Sequence, residues 1–247
     1  MCRVCESDLS SDIKEIECCQ LVSLVPSKLD NLESLNCQNT FITKLPEFEN
    51  LQWLNCGFTG VSEIPLYPQL TELDCTGTNV HDLPCGMTDL ECLECSDTHI
   101  SELPKDLTSL YILNAANTFI SEIPRELTNL YKVDISDTLV TEIPKELTGL
   151  DSLTCFNTKV TKIPSEIYLG ELISDIKIIE YPYEIIGYKK YGNILINNTV
   201  DFKESSFTKL QRFFRFKKKL PTLWKIAEYY TARKYSPENI LLYISLD

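Results

Sequence analysis

Apolar and polar positions recur along this chain with a period of 19 or 20 residues. Within each unit they first alternate, as in L-x-L-x-C, which predicts a short strand with one buried face. Each unit closes on an apolar residue followed by proline, which cannot continue a sheet ladder. A fixed period of this length indicates a stack of equivalent coils. Seven units match throughout, and they begin at Leu32, Leu51, Leu70, Leu90, Leu110, Leu130 and Leu150.

Two further positions of the unit are filled almost uniformly, one by cysteine and one by threonine. Free cysteine behaves as a small hydrophobic residue, so we expect the cysteines to belong to the core. Equivalent positions of stacked parallel strands point the same way, which is poor geometry for disulfides. We expect each threonine hydroxyl to bond a backbone group at the bend after the strand, in its own coil or the next. The two sets are Cys37, Cys56, Cys75, Cys95 and Cys155, and Thr40, Thr59, Thr78, Thr98, Thr118, Thr138 and Thr158.

The unit L-x-x-L-x-C-x-x-T-x-V/I-x-x-L/I-P resembles the leucine-rich repeat, over about residues 13–168. The resemblance implies a leucine-rich repeat solenoid with a parallel sheet of one strand per repeat. Coils this short leave little room for a helix, so we predict convex segments that are extended or a single 3₁₀ turn. Leu107, Leu127 and Leu147 should pack inward from them. The cysteine and threonine positions depart from the family pattern and are similar to the short repeats of giant DNA virus proteins.

Beyond the matched repeats the pattern changes, and the chain divides into four predicted parts. After residue 168 we predict further strands, at 173–184 and 193–198, that cap the open end of the sheet. Apolar residues then recur at helical spacing from Phe207 to Phe214, which predicts a small helical C-terminal region. The parts are an N-terminal cap with a degenerate repeat (1–31), seven leucine-rich repeats (32–168), C-terminal capping strands (169–200) and a basic helical tail (201–247).

The net charge is −13 over 247 residues, and it is unevenly distributed. Residues 201–247 hold ten Lys and Arg against five Asp and Glu, so the tail is basic and the rest strongly acidic. An acidic body argues against nucleic acid as a partner. No apolar run approaches the ~20 residues that cross a bilayer, and the N-terminus lacks an apolar signal core. We therefore expect an intracellular, cytoplasmic monomer with reduced thiols, with a virus-infected host cell as one setting.

The sequence offers no catalytic constellation, so we expect no enzyme activity and no cofactor. Its two histidines, His81 and His99, fall at different positions of neighbouring repeats and are interpreted as solvated loop residues. Glycine-rich phosphate loops and H-E-x-x-H motifs are absent. Four N-terminal thiols could hold zinc, but their spacing is unusual and one fits the core column, so we predict no metal site. These thiols are Cys2, Cys5, Cys18 and Cys19.

Outward strand positions would line the concave face of such a solenoid, and here they are polar, acidic in the middle and poor in bulky groups. We predict that this face binds a protein with a basic surface, anchored by the exposed aromatics Trp53 and Phe156. Cys92 is also assigned to an outward position. A merely solvated sheet is the alternative. The predicted partner-binding residues are Trp53, Asn55, Glu72, Asp74, Glu94, Asn114, Asp134 and Phe156.

The basic tail leaves several interpretations open. It could be a structural cap, or it could dock a partner. A faint similarity to an F-box around 220–241 suggests a substrate adaptor that recruits a host ubiquitin ligase. Binding of nucleic acid or an anionic membrane is a further alternative. The basic residues concerned are Arg212, Arg215, Lys217, Lys218 and Lys219.

Overall fold

One continuous parallel sheet runs through the molecule. The computed structural model describes residues 12–174 and the backbone of residues 187–189. Ten strands of three residues each form the sheet, and every strand lies beside its neighbours in sequence. The strands are β1 (Glu15–Glu17), β2 (Ser34–Asn36), β3 (Trp53–Asn55), β4 (Glu72–Asp74), β5 (Cys92–Glu94), β6 (Ile112–Asn114), β7 (Lys132–Asp134), β8 (Ser152–Thr154), β9 (Glu171–Ile173) and β10 (Gly187–Lys189).

Equivalent residues of successive repeats pair across the sheet. Leu35 lies opposite Leu54, and Leu54 lies opposite Leu73. The central residue of each strand from β1 to β9 is buried, and the residues on either side of it point outward. These features confirm a parallel solenoid with one strand per repeat. Between residues 12 and 174 there is no helix.

In the repeats that begin at Leu70, Leu90, Leu110 and Leu130 the convex side is made of two consecutive tight turns. In one repeat the Leu107 N–H donates to the Pro104 carbonyl at 3.5 Å, and the Leu110 N–H donates to the Leu107 carbonyl at 3.0 Å. Leu107, Leu127 and Leu147 are fully buried at this position, as predicted. The repeats that begin at Leu32 and Leu51 have the predicted extended segment with a single turn, whereas the four that follow have two tight turns and no 3₁₀ helix.

The cysteine column belongs to the core, as predicted. Cys37, Cys56, Cys75, Cys95 and Cys155 have no exposed surface, and none of these five forms a disulfide. Burial raises the pKa of Cys37 to about 12. It also raises the pKa of Cys56 and of Cys95 well above the usual range. Thiols with such pKa values stay protonated at neutral pH, so they act as small apolar side chains.

The threonine column closes the bend after each strand. Thr59 donates its hydroxyl hydrogen to the Cys56 carbonyl at 2.6 Å, and the other six threonines make the same bond to the residue three positions earlier. Each hydroxyl therefore bonds a backbone carbonyl of its own coil, and not one of the next coil, which was the other predicted possibility. Because each hydroxyl is buried and satisfied, the column costs little to bury.

The residue before each threonine has a positive φ in all seven repeats. Gly, Asn and Asp tolerate this left-handed conformation, and they fill six of the positions. The exception is Phe58, with φ 55° and a side chain that is 59% exposed. The conformation costs a bulky residue on the order of 1–2 kcal/mol. The Phe58 ring lies over Gly77 of the next coil, where an added Cβ would meet it at 2.7 Å.

The sheet extends beyond the matched repeats at both ends. The degenerate N-terminal repeat contributes β1, and its Ile16 is buried in the core. At the other end β9 and β10 continue the parallel order. Most of the strand predicted over 173–184 and all of that over 193–198 lie outside the described residues. So do residues 1–11 and the predicted helical tail.

We expect the column cysteines to resist alkylation in the folded protein while exposed Cys85 reacts. Iodoacetamide attacks the thiolate, which burial suppresses. Labelling at pH 8 followed by peptide mass spectrometry tests this, with denatured protein as the reference. Cys56→Ser should lower the free energy of unfolding by about 1–3 kcal/mol, because it buries a hydroxyl with no assured partner. Cys85→Ser, the control, should leave it unchanged. Rapid native labelling of Cys56 would contradict the core placement.

We expect Phe58→Asn to raise the free energy of unfolding by about 1 kcal/mol, since asparagine tolerates the left-handed conformation better. The matched control is Phe41→Asn, which replaces a phenylalanine that is 71% exposed and has no positive φ. Urea titrations of the full chain measure both. Equal responses of the two variants would show that position 58 carries no backbone strain.

Candidate functional site

The outward residues of the strands form an acidic concave face. Among the residues that the structure describes, strands β1 to β9 carry seven carboxylates and a single lysine, Lys132. All of them flank a buried central residue, so their charges are displayed on the same side of the sheet. The carboxylates are Glu15, Glu17, Glu72, Asp74, Glu94, Asp134 and Glu171.

The predicted acidic residues come together in the middle of this face. Asp74 lies directly opposite Glu94 on the neighbouring strand. Asn114 of β6 donates its amide to the Glu94 carboxylate at 2.7 Å, and Asp134 lies opposite Asn114 on β7. At about 4.8 Å per strand, this row spans roughly 15 Å from β4 to β7. All four side chains are half-buried.

Three residues of this row also hold the backbone of their own coil. Asp74 accepts the Thr76 N–H at 3.1 Å, and Asp134 accepts the Ser136 N–H at 2.9 Å. Asn114 makes the same bond to the N–H two residues later, at 3.2 Å. In each of these three residues, one side-chain oxygen therefore helps to hold the backbone after the strand. Replacing the aspartates by asparagine removes charge while keeping an acceptor for this bond.

Asn55 is predicted to bind a partner from an exposed position, but its side chain is buried. Its side chain has no exposed surface. Its amide donates to Gln38 at 3.2 Å, and its oxygen accepts the Gly57 N–H at 3.0 Å. The sequence places Asn55 at an outward position correctly, but neighbouring side chains cover it. Asn55 therefore belongs to the framework of the concave face.

Cys92 was also expected to be exposed, and it is 95% buried. It holds an outward position on β5, between Glu72 of β4 and Ile112 of β6. A small side chain between two longer ones is covered by them. Burial raises the pKa of Cys92 well above its usual range. Cys92 therefore adds apolar surface beneath the acidic row and no reactive thiol.

Two tyrosines that the sequence analysis did not single out form a stacked pair at the edge of this face, where β6 and β7 begin. Tyr111 and Tyr131 directly precede β6 and β7, and their rings stack with centroids 5.0 Å apart and planes 3° apart. The Tyr131 hydroxyl donates to Asp151 at 2.9 Å. Both rings are half-buried. The signal was available, because tyrosine fills the same position in two successive repeats.

The predicted aromatic anchors lie toward opposite ends of the face. Trp53 is on β3, opposite Glu72, and Phe156 follows β8 by two residues. Both side chains are half-buried, so each keeps apolar surface that a partner could cover. Trp53 thus borders the acidic row, whereas Phe156 lies beyond it.

Other predicted chemistry falls largely outside this face. Between residues 12 and 174 no three His, Cys, Asp or Glu side chains are grouped to hold a metal ion. Cys2 and Cys5 lie outside the described residues, and so does every basic residue of the tail assigned to partner binding. Within the described part of the chain no helix is long and apolar enough to cross a membrane.

Comparison with solved structures shows the fold. A leucine-rich repeat protein of Leptospira interrogans matches 70% of this chain at 22% identity, with a TM-score of 0.61. The leucine-rich repeat domain of a Shigella effector matches 60% at 21% identity and a TM-score of 0.50. A plant peptide hormone receptor solved in complex with RGF2 matches 65% at 20% identity and a TM-score of 0.51. The chain has the leucine-rich repeat fold.

The match covers only part of these proteins. It spans 51% of the Leptospira protein, 70% of the Shigella domain and 29% of the plant receptor. No family model matches the chain, and no curated protein matches it significantly. The likeness to these proteins is therefore one of architecture alone.

We expect Asn55→Ala to lower the free energy of unfolding by about 1–3 kcal/mol, because it leaves the buried Gly57 N–H without an acceptor. Asn114→Ala is the matched control, since Asn114 makes the same backbone bond where water can reach it. Asn114→Ala should lower the free energy of unfolding by clearly less than Asn55→Ala does. Thermal and urea unfolding measure both, and equal losses would show that burial does not distinguish the two sites.

Proposed function

We propose that this protein is a non-enzymatic interaction scaffold whose concave face binds a protein with a basic surface. The observation that carries the proposal is the row of Asp74, Glu94 and Asp134 beside Glu72, at the centre of a parallel sheet. Few basic groups oppose this charge, because Lys132 is the only cation on strands β1 to β9 of the described structure.

The spacing of the carboxylates makes their field act jointly. Neighbouring strands are about 4.8 Å apart, and the Debye length is about 8 Å at physiological ionic strength. Adjacent carboxylates therefore reinforce one another at the surface. Such a patch steers a basic partner into encounter, so it raises the association rate more than the lifetime of the complex.

Apolar side chains next to the charges supply the contact that slows dissociation. Trp53 borders Glu72 on one side. The stacked pair of Tyr111 and Tyr131 directly precedes β6 and β7, the strands that carry Asn114 and Asp134. Aromatic residues lose little conformational entropy on binding and are enriched among the residues that dominate interface energies. A basic segment laid across the strands would meet both kinds of contact.

The proposal also includes the kind of partner, the cellular setting and the oligomeric state. The leucine-rich repeat fold also serves a receptor solved in complex with RGF2, and we extend only the capacity to bind a protein or peptide to this chain. The column thiols form no disulfide, which supports an intracellular, reducing setting. A monomer stays a prediction. The viral similarity of the repeats and the F-box-like adaptor role of residues 201–247 stay predictions.

The test compares two triple variants that remove the same charge from different surfaces. The partner is isolated with the full chain and its rates are measured by surface plasmon resonance over a salt series. We expect Glu72→Gln, Asp74→Asn and Glu94→Gln together to slow association about tenfold at low salt and to flatten the salt dependence. Trp53→Ala should mainly speed dissociation.

The control triple variant is Glu47→Gln, Asp89→Asn and Glu166→Gln, three exposed carboxylates outside the strands. It should change association only slightly. Unchanged rates and salt dependence in the concave variant would show that the acidic face is a solvated surface. A tail-deleted chain ending at residue 200 separates the adaptor prediction, because a scaffold keeps its partner without the tail.

A further inference from the structure

Three exposed apolar side chains occupy the same repeat position on the flank of the solenoid, outside the concave face. Phe41, Phe119 and Leu139 are 71%, 55% and 52% exposed, and each directly follows a threonine of the buried column. That position points away from the core, because the next residue along is the buried one. Exposed apolar groups that recur at one position of a repeat form a stripe, and stripes of this kind mark interaction sites.

We call four side chains of consecutive repeats the flank ridge: His99, Phe119 and Leu139 hold this position, and His81 lies two residues beyond it in its own repeat. The His81 and His99 rings stack with centroids 5.0 Å apart, and the His99 and Phe119 rings lie 6.0 Å apart. Leu139 follows in the next coil, one repeat after Phe119. The sequence predicts that both histidines are solvated loop residues, and both are exposed. The structure in addition joins them to an aromatic row.

Acidic residues border the flank ridge on both sides. Asp97 and Asp137 precede the column threonines, and both are exposed. On the other side an exposed carboxylate occurs four residues after the threonine in five consecutive repeats. The segments 77–82, 97–102 and 117–122, like 137–142, contain no Lys or Arg. The five carboxylates are Glu63, Asp82, Glu102, Glu122 and Glu142.

We propose that the flank ridge binds a basic amphipathic α-helix of a partner protein. An α-helix presents one apolar side chain per turn, about every 5.4 Å. The ridge rings are 5.0 and 6.0 Å apart, so successive turns of a helix laid along the ridge would stay in register with successive coils. An extended strand presents same-face side chains about every 6.8 Å and loses register within two coils. Lys and Arg beside the helix's apolar stripe would reach both acidic borders.

The strained phenylalanine lies at the end of this surface. Phe58 occupies a left-handed position in the repeat that also carries Glu63, the first carboxylate of the border. Its ring is mostly exposed and rests on Gly77. An exposed aromatic held in an unfavourable backbone conformation is typical of a functional surface. Phe58 supports the placement of an apolar binding surface on this flank.

The experiment uses the full chain and two synthetic peptides of 18 residues. Both carry leucine at helical one-face spacing, and their remaining positions are mainly lysine in one and mainly glutamate in the other. Binding is followed by fluorescence anisotropy. We expect the lysine peptide to bind with a dissociation constant in the micromolar range and to gain helicity by circular dichroism. The glutamate peptide should bind at least tenfold more weakly.

Three variants locate the site. Phe119→Asn with Leu139→Asn removes the ridge, and asparagine is compatible because Asn79 already occupies this position in another repeat. This variant should bind the lysine peptide at least tenfold more weakly than the unmodified chain does. Leu66→Asn, which changes an exposed leucine elsewhere, should have no effect. Glu102→Gln, Glu122→Gln and Glu142→Gln together should weaken binding several-fold and reduce its salt dependence.

Three results would overturn the proposal. Equal binding by the ridge variant, equal binding of the two peptides, or no binding at millimolar concentration would each exclude a helix site on this flank. The concave triple variant should keep full peptide affinity. If that variant loses the peptide instead, the peptide binds the concave face, which contradicts the ridge and leaves the proposed function standing.

Discussion

A coil of 19 or 20 residues contains one strand of three residues and no helix, so its apolar side chains are buried only against the coils on either side. This constraint governs the structure. Every column position must stack on its own copy, which favours small apolar side chains such as cysteine close to the sheet. It also makes the stability a sum of neighbour contacts. A substitution in one column should therefore be felt mainly in the adjacent coils.

The same stacking determines how the surfaces are built. Any side chain at an outward position is repeated about every 4.8 Å, so modest sequence biases become continuous stripes. Carboxylates at the strand positions give the acidic concave face. Apolar and histidine side chains after the threonine column give the flank ridge, with rings 5.0 and 6.0 Å apart. Two chemically different surfaces thus arise from positions only a few residues apart in each repeat.

Periodicity predicted the fold well, because register along a repeat fixes which side of the sheet a residue faces. It assigned the core roles of Cys56 and Thr59 and the inward packing of Leu107. It failed where exposure depends on neighbouring coils. Asn55 and Cys92 face outward yet are buried, because adjacent side chains cover them. Whether an outward side chain is covered depends on the size of the side chains beside it on the two neighbouring strands. The pattern of a single repeat does not contain that information.

Carboxylate footprinting tests the acidic concave face most directly. Exposed Asp and Glu side chains are coupled to glycine ethyl ester with carbodiimide, with and without the bound partner, and the modified residues are quantified by mass spectrometry. We predict that the partner protects Glu72, Glu94 and Asp134 and leaves exposed Glu166 on the convex side unchanged. Equal labelling of the three concave residues in the free and bound protein would contradict the proposed binding face.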